Sequence, residues 1–310
     1  MAYETIAQQM VVLGFCVLVG FIARKCKVMD DKLDAGLSVL LLQVTLPCMI
    51  IGAVICRDSL PKPADIGLIF VSSWAMYALI LVIALILPRL MRLDVRYRGT
   101  YSFMLTFGNV GFIGFPVCNA IFGPESLLIA AIFNIPFNIL VFTVGIMMLK
   151  QDSEPFWLQL KRLMPQLRSP TLAACVASLV LALLGVCNTG FVGEAVSTVG
   201  SMTTPAAMLV VGSSLAKMPA GAMLTQLKPY IMAAFRLIII PLLVWVVFRH
   251  IISDPTLLGV LVITSGMPVA SNATLLGLRY GGDMETIARG TFITTLFSLV
   301  TIPLLTTLIA

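Results

Sequence analysis

The sequence predicts an all-α integral membrane protein: ten transmembrane helices built as two inverted five-helix repeats, with helices 4 and 9 broken. Three observations predict it. Of 310 residues, 59% are apolar or aromatic and only 11% are charged, and the mean hydropathy is +1.05. Soluble domains carry about 25% charged residues, and a fold of this size cannot hide so much hydrocarbon from water. Ten apolar runs divide the chain, each near the ~20 residues that a bilayer core about 30 Å thick requires. Polar, Pro and Gly residues also recur between the two halves at a nearly constant offset. A soluble enzyme, a nucleic-acid-binding domain and a disordered chain are excluded.

The runs lie near 3–23, 33–56, 65–88, 99–122, 125–149, 169–188, 192–215, 229–252, 256–280 and 284–309. The first lacks a basic leader and ends in Arg24-Lys25-Cys26-Lys27, so it reads as a retained span and not a secretory signal. Loops 1–2, 3–4 and 5–6 hold about four Lys or Arg each, and loops 7–8 and 9–10 about two each, against about three over all the outer segments. The basic side is cytoplasmic by the positive-inside rule. Both termini then face away from the cytoplasm, in a plasma or inner membrane. The formal charge of +6 therefore reflects short loops and implies lipid, not nucleic acid, as the neighbour.

Pro47 and Pro61 pair with Pro205 and Pro219 at an offset of 158, and Gly123-Pro124-Glu125 pairs with Gly281-Gly282-Asp283 at the same offset. Arg89 and Asp94 pair with Arg249 and Asp254 at 160. Five spans per copy is an odd number, so the second copy enters the membrane from the opposite side. Inverted repeats of this kind are the architecture from which secondary transporters obtain alternating access. Residues 1–150 form the first repeat, 151–168 a short cytoplasmic loop and 169–310 the second repeat.

Span four carries Gly108, Asn109, Gly111, Gly114 and Pro116 within nine residues, and span nine carries Gly266, Pro268, Ser271 and Asn272 at the equivalent depth. Proline removes a backbone donor and glycine leaves helical geometry cheaply. Peptide groups freed in this way survive in a bilayer only against protein or a wet cavity, and a half-helix N-terminus there suits a carboxylate. The other reading of the glycines is close helix packing. Asn109 and Asn272 are the leading substrate ligands, because an amide in lipid must find partners. Asn134 and Asn138, one turn apart beside Pro136, either line the same cavity or bond between helices. Gln43 and Thr45 precede Pro47 at a kink that forms a wall. Arg236, the one basic residue well inside a span, reads as snorkelling to the cytoplasmic interface.

Asp65 and Glu194 fall at outer span ends and read as solvated. The seven cysteines form no CxxC pair and read as small buried hydrophobes. With one histidine, His250, no metal or cofactor site is predicted. An intramembrane hydrolase needs a nucleophile and base at one depth, so the enzyme reading is poor. A channel would be recognised by conductance far above carrier turnover.

GNVGFIGFP (108–116) resembles the GNxGFxGxP stretch of the auxin efflux carrier family of permeases. Met267-Pro268-Val269-Ala270-Ser271-Asn272, with Arg279-Tyr280-Gly281, resembles that family's MPVAxN…RYG stretch, and Leu46-Pro47 fits as well. The resemblance implies a fold similar to the bile-acid sodium symporters, with spans four and nine crossing at their breaks. It implies a scaffold of spans 1, 2, 6 and 7 and a transport domain of spans 3–5 and 8–10. It further implies a substrate carried at the crossover by an elevator-like shift, and dimers formed through the scaffold. On this resemblance Asn109, with Gly108 and Val110, and Pro268, Ser271 and Asn272 make the site. Gly108 stands where the plant carriers have a proline, so the break persists with more freedom. The short loop at 150–168 leaves no place for the plant carriers' phosphorylation control. The expected cargo is a small organic anion, malonate or an auxin-like acid. A sodium-coupled symporter of the bile-acid type is the alternative, and sodium dependence discriminates it.

Overall fold

A computed structural model describes residues 2–57, 61–150, 169–187, 189–217, 226–270 and 273–309. The loop placed at 151–168, Pro219, and the site residues Ser271 and Asn272 lie outside the described residues. Among the described residues the chain is helical, without strands.

In order the helices are α1 (Ala2–Lys25), α2 (Asp31–Ile55), α3 (Pro63–Leu90), α4 (Val95–Thr106), α5 (Val110–Phe122) and α6 (Glu125–Lys150). Then come α7 (Pro170–Leu183), α8 (Phe191–Lys217), α9 (Leu227–Phe248), α10 (Pro255–Ser265), α11 (Ala273–Tyr280) and α12 (Met284–Ile309). Among the described residues, six are long and apolar enough to cross a bilayer: α2, α3, α6, α8, α9 and α12. Helices α5, α7 and α10 are apolar but shorter. The runs read as spans four and nine are each two helices, α4 with α5 and α10 with α11.

Sequence explains much of the local geometry. Asp30, Asp94 and Asp254 cap the helices that follow them, accepting from Leu33, Arg96 and Thr256 amides. Of four wide π-turns among the described residues, three, Leu41–Thr45, Val110–Gly114 and Phe235–Ile239, end two residues before a proline (Pro47, Pro116 and Pro241), and Val141–Gly145 does not. A proline ring collides with the carbonyl four residues back, and widening the preceding turn moves that carbonyl aside. Buried hydroxyls return to their own helix: Thr106 to the Ser102 carbonyl at 2.8 Å and Thr264 to the Val260 carbonyl at 2.7 Å.

α1 lies along α8, and α2 packs on α7 and α8. At the α1–α8 seam the main chains touch. A Cβ on Gly20 would sit 2.2 Å from the Leu209 carbonyl oxygen, and one on Gly212 would sit 1.9 Å from that of Val17. The outer faces of α1 and α3 expose Val11, Phe15, Val71 and Ile86. Such surface is costly in water and neutral in hydrocarbon.

A buried carboxylate also appears that hydropathy does not reveal. Asp34 is 5% exposed. Its Oδ2 accepts from Lys217 Nζ at 2.7 Å and Ser213 Oγ at 2.8 Å, and Arg24 Nη1 lies at 3.5 Å. The cluster ties α1, α2 and α8 together at their basic-loop end.

Candidate functional site

The last turn of α4 gives way at Phe107, whose backbone is extended (φ −106°, ψ 107°). α10 ends at Ser265, with Gly266 at φ −91°, ψ 8°. The two unwound segments meet side by side. The Asn109 amide donates to the Pro268 carbonyl at 2.7 Å, and the Ala270 amide donates to the Phe107 carbonyl at 3.1 Å. This places Gly108 opposite Val269 in a single antiparallel bridge. The Val269 amide donates to Thr294 Oγ1 of α12 at 3.1 Å. Peptide groups released by the breaks are therefore satisfied across the crossing, as hydrocarbon surroundings demand.

Beside the crossing lies a cavity of about 230 Å³. One break lines it with Gly108, Asn109, Val110, Gly111 and Phe112, and the other with Ala270. α6 adds Asn134, Phe137, Asn138 and Phe142, α2 adds Leu42, and the head of α7 adds Ser169 and Thr171. A Cβ on Gly111 would meet nothing within 4 Å. Phe112, Phe137 and Phe142 form its apolar flank, and behind Phe137 pack Phe107, edge-on at 5.9 Å, and Tyr77 at 6.4 Å.

Asn109 is 6% exposed, and its Oδ1 caps α5 by accepting from the Phe112 amide at 3.1 Å. Asn134 does both things that its position allows. It lines the cavity, and its Nδ2 reaches Cys175 Sγ of α7 at 3.6 Å. Asn138 donates to the Asn134 carbonyl at 2.7 Å, within its own helix. Gly108, Asn109, Val110, Asn134 and Asn138 are thus gathered around one space. Gln43 and Pro47 are not among its lining: Gln43 is exposed, and the α2 wall is Leu42. Successive helical residues point about 100° apart, so the π-turn at Leu41–Thr45 brings one neighbour inward and turns the next away. Pro268 joins the crossing through its carbonyl and not through the cavity.

Arg236 corrects the snorkelling expectation. It is 1% exposed and points into the crossing. Nε donates to the Met267 carbonyl at 2.9 Å, and Nη1 donates to the carbonyls of Leu105 at 2.7 Å and Thr106 at 3.3 Å. Chain breaks leave the final carbonyls of a helix without intrahelical donors, and a guanidinium serves several at once. Gly108 makes the room, since a Cβ there would stand 1.9 Å from Arg236 Nη2. The available signal was the pairing of a lone mid-span arginine with two helices that end inside the membrane.

A family model described as "Membrane transport protein" matches residues 5–306. An uncharacterized transporter of Methanocaldococcus jannaschii is 30% identical over 205 residues, 64% of this chain and 64% of that protein, so the match spans a little under two thirds of the relative. An uncharacterized transporter of Methanothermobacter thermautotrophicus is 24% identical over 288 residues, 93% of each.

Proposed function

The chain belongs to the membrane transport protein family, of auxin efflux carrier type, and from that membership we propose that it is a secondary carrier of a small organic anion, a carboxylate such as malonate or an auxin-like acid. The observation that carries this reading is the cavity at the crossing. It is polar through Asn109, Asn134 and Asn138, it is walled by aromatic rings, and it borders the N-terminal turn of α5. Helix N-termini attract anions, and paired interruptions mark carrier sites. Asn272 completes the site in this reading, with Ser271 beside it.

The proposed architecture is two inverted five-helix repeats, residues 1–150 and 169–310. In it α4–α5 and α10–α11 count as single broken spans, and both termini face away from the cytoplasm of a plasma or inner membrane. α1, α2, α7 and α8 form the scaffold, a reading supported by the α1–α8 seam and by the packing of α2 on α7 and α8. The remaining helices form the transport domain, which shifts as an elevator, and the scaffolds pair into homodimers. The cavity borders both groups and extends to Ser169, next to basic loop 5–6, which favours a cytoplasm-facing state.

Uptake of radiolabelled malonate and indole-3-acetate into proteoliposomes, with sodium and pH varied separately, tests the proposal. Asn109→Asp keeps the cap on α5 but puts a negative charge where the anion would sit. Saturable uptake of either acid, lost in Asn109→Asp while the melting temperature holds, is the expected result. Equal uptake by the variant overturns the site, and strict sodium dependence favours the symporter alternative.

A further inference from the structure

We propose that Arg236 sets the charge of the crossing, and with it the preference of the cavity for anions over cations. The inference rests on the carrier reading above and adds a residue that does not itself line the cavity. α4, of 12 residues, and α10, of 11, both end at the crossing. A helix C-terminus carries about half a negative charge, so the two together place roughly one negative charge beside the cavity. Unopposed, that charge would repel a carboxylate.

Arg236 lies against both ends. Its donors meet the last carbonyls of α4 (Leu105 and Thr106) and the Met267 carbonyl just past α10. All three partners are main-chain oxygens, and among the described residues no carboxylate shares the guanidinium. One full positive charge is thus matched against two half-charges of opposite sign. The N-terminal end of α5, whose Val110, Gly111 and Phe112 line the cavity, then remains the dominant local pole, and it is positive. The N-terminal end of α11, at Ala273, adds a second positive half-charge, so without Arg236 the four helix ends sum to about zero and the site would lose its preference for an anion. Gly108 is the second requirement, because any side chain there displaces the guanidinium. Arg236 is thus a positioning and charge-setting residue, acting through the two helix ends and not by touching the cargo.

The test reads the sign of the cavity without knowing the cargo. Phe112, half-buried on the cavity wall, is replaced by Cys. The detergent-solubilised full-length chain is labelled with an anionic (sulfonatoethyl) and a cationic (trimethylammonioethyl) methanethiosulfonate. Peptide mass spectrometry reads position 112, so the native cysteines do not interfere. Rates are normalised to a free thiol. The F112C parent should react faster with the anionic reagent. In Arg236→Gln and Arg236→Met the anion-to-cation ratio should fall at least about tenfold, since the lost charge moves the two reagents in opposite directions. Arg236→Lys should restore most of it. Gln keeps a donor and Met keeps the bulk, so whichever of the two folds by size exclusion gives the answer. A ratio unchanged in a folded neutral variant, with the parent still favouring the anion, overturns the role of Arg236 and leaves the anion carrier standing. A parent that favours the cation, or that reacts with neither reagent, overturns the anion site itself.

Discussion

Glycine does opposite work in two parts of the molecule. At the α1–α8 seam, Gly20 and Gly212 remove side chains so that two main chains can touch, and what they would strike is backbone carbonyl. At the crossing, Gly108 removes a side chain so that a charged one can enter. The first contact is dry and unyielding, because neither helix can retreat without losing the other. The second is polar, sits beside open space, and is held by hydrogen bonds to carbonyls that the breaks set free. In the proposed carrier the first kind of contact suits the scaffold and the second suits the binding site.

Four substitutions probe that contrast, in falling order of expected damage. Gly212→Ala puts a methyl 1.9 Å from the Val17 carbonyl oxygen, and overpacking against backbone should cost about 3 kcal/mol. Thermal unfolding in detergent should show it, and a melting point within a degree of the parent would mean that the seam is looser than described. Gly108→Ala meets a side-chain end instead, with Met267 Cβ 3.1 Å away. It should cost nearer 2 kcal/mol yet lower uptake more than tenfold. If uptake falls only as far as stability does, the crossing is no different from the seam.

Asp34→Asn comes third. Its cationic partners are partly exposed, with Lys217 at 32% and Arg24 at 20%, and can turn to water or to Asp31. The loss should be about 1.5 kcal/mol, well short of that for a fully buried pair, with uptake within threefold of the parent. A larger transport defect would place the cluster in the carrier cycle. Thr171→Val is the mildest. It removes the 2.9 Å bond from Thr171 Oγ1 to the Leu42 carbonyl, worth about 1 kcal/mol, so thermal unfolding should show a small drop in the melting temperature, and an unchanged one would mean that this α2–α7 tie bears no load.

Composition was enough to read a helical membrane protein, because the shortage of charge is global and survives errors in any one boundary. The interruptions in spans four and nine were legible for a local reason: Gly, Asn and Pro act on their own turn. The setting of Arg236 was not. Its acceptors lie 131 and 31 positions away, and hydropathy scores a mid-span charge as a cost without naming what compensates it. The burial of Asp34 is hidden in the sequence for the same reason, since Ser213 lies 179 positions further along the chain. Polarity points to Gln43, whereas rotation through the widened turn makes Leu42 the wall. The sites of Ser271 and Asn272 fall outside the described residues.

The two amide links between 107–109 and 268–270 join segments of the two halves of the chain as a clasp joins two straps. In the proposed carrier, a cargo seated there would travel with both straps, and with the helices sewn to them.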